Sequence, residues 1–230
     1  MLKPAACQLV LALVVLFGPA IAAEPTPEDL NKRIAASNEA LKKVTEITER
    51  RIPKDLLRKC RGVAIFPRVL NVGLLVGVSF GKGVVLRRDE KTAEWSKPAF
   101  FTVRGGSVGA QAGAQSIELI LLIMSEEGIQ GLLENRYTLG ADISVAAGPV
   151  GRKASAETDI RFDAGILSYS KAKGLFAGIS LKGASLAPDM PANRVYHGEG
   201  ITVQDVLYEG KGGVSEEAGT LAKTLSEASN

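Results

Sequence analysis

Gly77, Ser79 and Gly81 spell GxSxG, the nucleophile-elbow pattern, and the only histidine of the 230-residue chain, His197, follows Asp189 in the Ser…Asp…His order of the α/β-hydrolases. Acyl transfer at such an elbow requires a strand, a sharp turn and then a helix, so that the hydroxyl stands above the sheet where a base can reach it. Ser79 is instead followed, after Phe80, by GKGVVLRR, whose two glycines and β-branched pair disfavour a helix. Asp189 and His197 lie only eight positions apart, and no βαβ alternation surrounds them. The pattern reads better as a glycine-rich hairpin in which backbones approach closely. A serine hydrolase is the least favoured reading, and no enzyme activity is expected.

Phosphate chemistry fares little better. A phosphate loop needs four residues between its glycines and a hydroxyl after the lysine, whereas three separate Gly77 from Gly81 and Gly83 follows Lys82. RGGSVGAQAG (104–113) precedes a segment expected to be helical, so its N–H groups could face an anion; the competing reading is close packing of strand on helix. One histidine and dispersed carboxylates provide no zinc or calcium constellation, so neither a metal nor a cofactor is expected. Cys60, within LLRKCRGVAIF, reads as a small buried hydrophobe.

Charge arrangement is more informative. Lys32, Arg33, Lys42, Lys43, Arg50, Arg51, Lys54, Arg58, Lys59 and Arg61 face four carboxylates within residues 32–61, a local +6, while residues 62–230 carry 17 cations against 18 anions. Such a segment can meet anionic phospholipid headgroups, where each nearby cation contributes about 1 kcal/mol. These ten residues are the candidate lipid-binding set. The alternative is the solvated face of a helix docked on a sheet, which Lys32, Lys43 and Arg50 fit by lying opposite the apolar stripe.

The elements that must position these groups follow from composition and pattern. With 46% hydrophobic residues, 23% charged residues and a net charge of +3, the chain can build the core of one domain. An aromatic content of 5% and no basic stripe exclude a nucleic-acid surface. Residues 1–23 read as an export signal: Lys3, an apolar core LVLALVVLF (9–17), and small residues at Ala20, Ala22 and Ala23. An uncleaved anchor is the competing reading. The protein is expected in the periplasm or cell envelope, peripheral to a membrane.

Residues 24–61 are expected to be helical: Thr26 caps, Pro27 stands first, and Leu30, Ile34, Leu41, Val44 and Ile52 share one face. Residues 62–212 form a β-rich core, with short β-branched runs broken by glycine. Within it, SIELILLIM (116–124) is expected as a buried helix, and TVQDVLYEG as a short helix with a Thr202–Asp205 capping box. The tail, 213–230, is expected to be flexible. Residues 73–95 and 174–196 share length and several glycines, which leaves a duplicated unit open. The fold class is α+β: an antiparallel sheet or partly closed barrel with an amphipathic N-terminal helix and a buried central helix.

Taken together, RGVAIFPRV (61–69), GKGVVLRR (81–88), WSKPAFFTVRGGSVGAQAGAQSIELILLIM (95–124), LGADISVAAGPVGR (139–152) and YSKAKGLFAGISLKGASL (169–186) resemble the SYLF domain over nearly the whole chain after the leader. That resemblance implies a single α+β domain, no catalysis, and binding to phosphoinositides or other acidic phospholipids, with an amphipathic N-terminal helix implicated in membrane contact. Some SYLF proteins bind actin. The export signal, and the lack of an SH3 or FYVE module in this sequence, point away from actin and phosphoinositides and toward an acidic bacterial lipid. The expected function is an exported phospholipid-binding protein; a structural or protein-interaction envelope domain is the alternative.

Overall fold

The computed structural model describes residues 24–46, 52–73, 76–108, 113–134, 137–149, 164–172, 175–177 and 183–229. The expected leader (1–23), Arg50, Arg51 and Gly109 lie outside the described residues.

The N-terminal helix α1 (Pro27–Glu46) starts as its sequence demands. The Asp29 N–H donates to the Thr26 hydroxyl at 3.2 Å while the Thr26 N–H donates to the Asp29 carboxylate at 3.1 Å, a reciprocal cap of two orphan donors. Pro53 then sets the start of a short helix α2 (Lys54–Lys59), which buries Leu56 and Leu57.

Among the described residues nine strands form one curled, half-barrel sheet: β1 (Gly62–Gly73), β2 (Val76–Arg87), β3 (Ala99–Val108), β4 (Gly113–Ile123), β5 (Tyr137–Thr138), β6 (Val145–Ala147), β7 (Ile166–Ala172), β8 (Leu175–Ala177) and β9 (Ser185–Pro188). Their order is β5-β9-β3-β2-β1-β4-β7-β6, with β8 on β7, and every pair except β6–β7 is antiparallel. The α+β class with a partly closed sheet and an N-terminal helix is thus borne out. Four helices complete the described elements: α3 (Glu126–Gly131), α4 (Met190–His197), α5 (Val203–Tyr208) and α6 (Glu216–Ser229). Helix α5 carries the expected capping box between Thr202 and Asp205.

Helices pack on both faces of the sheet. On one face α1, α2, α4 and α6 pack Leu30, Ile34, Leu41, Leu56, Ala192 and Leu221 against Ile65, Val84, Phe100, Ile120 and Leu122. On the other, Ile129, Leu132, Tyr137, Val206 and Leu207 cover Phe66, Val85, Phe101, Leu119 and Leu121.

Three expectations are corrected. The buried central helix at 116–124 is strand β4, whose Leu119 to Ile123 are each at most 1% exposed. A strand buried on both faces loses its polar alternation, and its continuous apolar run then cannot be told from a buried helix. The tail expected to be flexible forms α6, with Ala218, Leu221 and Leu225 inward at helical spacing. Its small polar residues had masked that stripe. The duplicated unit also fails. Residues 76–87 are one long strand, whereas the matching stretch supplies β8, β9 and α4, with β8 on β7 and β9 on β3. Gly174 and Gly178, which match Gly73 and Gly77, lie outside the described residues, and the described parts of the two stretches share no architecture.

Candidate functional site

The three residues of a serine triad are never assembled. Ser79 sits inside β2 opposite Asn71 and Gly105. The His197 ring bonds the Pro98 carbonyl at 3.1 Å, seven residues of β3 away from Gly105, or about 20 Å along the strand. Asp189 is bound to Arg33 at 2.9 Å. The glycines of the motif are structural: a Cβ on Gly81 would lie 2.8 Å from Val69 Cγ2, and one on Gly83 would overlap the Ile65 carbonyl oxygen beside the β1 bulge. RGGSVGAQAG leads into strand β4, so there is no helix N-terminus there to hold an anion. Cys60 is buried, its Sγ donates to the Leu57 carbonyl, and burial pushes the thiol up to about 12, which removes it as a nucleophile. Among the described residues no cluster of three or more His, Cys, Asp or Glu side chains is placed to hold a metal.

The basic N-terminal region is folded onto the sheet. The stripe Leu30, Ile34, Leu41 and Val44 is at most 1% exposed. At roughly 1.5–3 kcal/mol per side chain, its release would cost on the order of 10 kcal/mol before counting the sheet it uncovers. The helix is therefore held in the core, and its cations are what it offers to solvent. Lys32 pairs with Glu28 at 2.7 Å, Lys42 with Glu39 at 3.4 Å, Lys43 with Glu118 at 2.7 Å, Arg58 with Asp55, and Arg61 with Glu90 at 2.6 Å. These pairs are open to water and weak. Arg33 differs: its side chain is 11% exposed, bonded to the equally hidden Asp189 and set 5.4 Å over the Phe100 ring. Lys54 and Lys59 are exposed.

A second surface was not legible in the sequence. Helix α1 is fastened over Phe100 by Arg33 and to β4 by Lys43, and the same face of the sheet continues past that line. There Leu70 pairs with Phe80, Val72 with Val78 and Arg68 with Lys82, while Phe80 neighbours Arg104 on β3 and Leu70 neighbours Ser116 on β4. Paired residues, and residues two apart, share a face. Leu70, Val72, Val78 and Phe80 are 41%, 51%, 68% and 39% exposed. The Arg104 guanidinium lies 5.6 Å from the Phe80 ring. A depression of about 490 Å³ lined by Phe80, Arg104 and Ser185 flanks one side, and one of about 430 Å³ lined by Arg68, Ser116, Glu118 and Lys171 flanks the other. The only hint in the sequence was LLVGVSF, which reads equally well as a buried strand. Among the described residues no helix is long and apolar enough to cross a membrane.

Comparison with known proteins agrees with the resemblance. Residues 104–228 match the family model Ysc84, described as Las17-binding protein actin regulator. The chain is 31% identical over 190 residues to SH3 domain-containing YSC84-like protein 1 of Bos taurus, covering 80% of this chain and 55% of the relative. It is 34% identical over 159 residues to Protein YSC84 of Saccharomyces cerevisiae and 33% to LAS seventeen-binding protein 3 of the same species, in each case 68% of this chain and 34% of the relative. The chain thus spans about half the length of the mammalian relative and a third of the yeast ones. None of these names is that of an enzyme.

Proposed function

The chain belongs to the Ysc84 (SYLF) domain family, and from that premise we propose that it is an exported, non-enzymatic protein that binds anionic phospholipid at the cell envelope through its basic N-terminal helical region. The observation that carries this reading is the local +6 over residues 32–61, with Lys32, Lys43, Lys54, Arg58 and Lys59 on the exposed surface. Because the apolar stripe of α1 is already used in the core, this contact is electrostatic, and it weakens as salt shortens the Debye length. Co-sedimentation of the purified protein with neutral and anionic vesicles across a salt series tests it. Equal binding to both vesicle types, or none to either, would sink it.

The family description and the yeast relatives' names favour a second reading, a protein-interaction domain. That reading predicts retention of a protein partner from envelope extracts stripped of lipid, with no vesicle binding.

A further inference from the structure

We propose that the uncovered half of the helix-bearing face is the surface that enters the bilayer: Val72 and Val78, backed by Leu70 and Phe80, reach the acyl boundary while Arg68, Lys82 and Arg104 hold headgroup phosphates. The inference rests on the lipid reading above and names the surface that such binding would use.

The ladder is graded along the strands. Val72 paired with Val78 forms its outermost fully described rung, Leu70 with Phe80 the next, and Arg68 with Lys82 the one nearest the helices. Four residues separate the first rung from the last, about 13 Å at strand rise. That span matches what a peripheral surface needs: apolar groups roughly 5–10 Å into the headgroup–acyl boundary and cations behind them at the phosphates.

Charge selects the occupant. Among the described residues Arg68, Lys82 and Arg104 have no carboxylate at ion-pair distance, unlike most of the cations on α1 and α2. Among the described residues lining the two depressions the one carboxylate is Glu118, and it is answered by Lys43 at 2.7 Å, which brings the basic region of α1 to the border of the ladder. A second copy of the chain docked about a two-fold axis would bring three cations against three cations. An anionic bilayer meets them with phosphates and accepts the valines.

The test replaces Val78 with tryptophan and follows its emission on vesicles of phosphatidylcholine containing phosphatidylglycerol, with bromine on the acyl chains. Val78→Trp emission is expected to shift to the blue and be quenched, the parent's Trp95 supplying the background. Val72→Ser with Val78→Ser should weaken vesicle partitioning about tenfold at an unchanged melting temperature, since both side chains are exposed. Arg68→Gln with Lys82→Gln should weaken it by a further factor of about five per charge, for anionic vesicles only.

If the parent binds vesicles while Val78→Trp is unquenched and the double serine variant binds as the parent does, this surface is wrong and the lipid reading stands. If the parent binds no vesicle, both fall. Loss of self-association by the serine variant in sedimentation velocity, with vesicle binding intact, would make the surface a contact between copies and overturn the proposal.

Discussion

His197 is neutral in the fold, with Nε2–H donating to the Pro98 carbonyl and Nδ1 accepting the Gly213 N–H at 3.2 Å. Burial holds its pKa at about 4, below the usual 6.5. A folded-state pKa below the unfolded one means that protons favour the unfolded chain. The contribution is whole above about pH 6.5 and is lost as pH falls toward 4, amounting to at most about 3 kcal/mol. His197→Gln should be less stable at pH 7 by about 1–3 kcal/mol. Its urea midpoint should also fall less than the parent's between pH 7 and 4.5, and equal falls would remove His197 as the cause. Ser79→Ala, by contrast, should leave vesicle binding and stability near those of the parent. Ser79 should also resist fluorophosphonate labelling, because His197 is held far away at Pro98; covalent labelling would revive the hydrolase.

At the scale of elements, the helical layer is bolted to the sheet at a few identifiable points. Arg33 of α1 meets Asp189 at the entry to α4, and Asn193 one turn later bonds both the N–H and the carbonyl of Phe100 at 2.9 and 2.8 Å. Removing one partner of a buried ion pair strands the other, so Arg33→Ala should cost about 3–5 kcal/mol in equilibrium unfolding. A cost below about 1 kcal/mol would mean that solvent reaches Asp189 freely. On the opposite face Arg87 stacks 4.2 Å from the Tyr208 ring, and the Tyr208 hydroxyl donates to Glu126 at 2.7 Å, tying α5 and α3 to β2. Burial, followed by that acceptor carboxylate, raises the phenol above its usual range. Helix α6 is as integral as α1: Leu221 and Leu225 are fully buried, so Leu221→Ala should cost about 2–5 kcal/mol by chemical denaturation. A neutral result would restore the frayed tail. Gly83→Ala belongs here too, because its Cβ would press on the backbone of β1, and a loss of about 1–3 kcal/mol is expected in the same assay.

Over the whole molecule, the helices on one side cover only part of their face, and the remainder carries apolar and cationic side chains in graded order. On the proposed lipid reading two surfaces contribute to vesicle binding, and the apolar part of the second is the part that salt does not weaken. Replacing Arg50, Arg51, Arg58 and Lys59 together by Gln should strongly weaken the salt-sensitive binding while leaving the melting temperature near the parent's, since the described pair, Arg58 and Lys59, is exposed. Binding that persists at high salt should then track Val72 and Val78. If the quadruple variant binds anionic vesicles as the parent does, the N-terminal region is only the solvated face of a docked helix.

The sequence by itself determined the α+β class, the capped starts of α1 and α5, the inward stripe Leu30–Ile34–Leu41–Val44 and the lack of a triad, because caps, β-branched runs and helical spacing act within a few residues. It could not determine that 116–124 is a strand, since burial on both faces erased the alternation that distinguishes strand from helix. Nor could it show that Arg33 is spent inside on Asp189, 156 positions away, while Arg68 and Lys82 have no carboxylate partner among the described residues. Which cations and which valines are left to the surface was decided only when α1 settled across part of the sheet, because exposure is a property of what covers a residue and not of the residue.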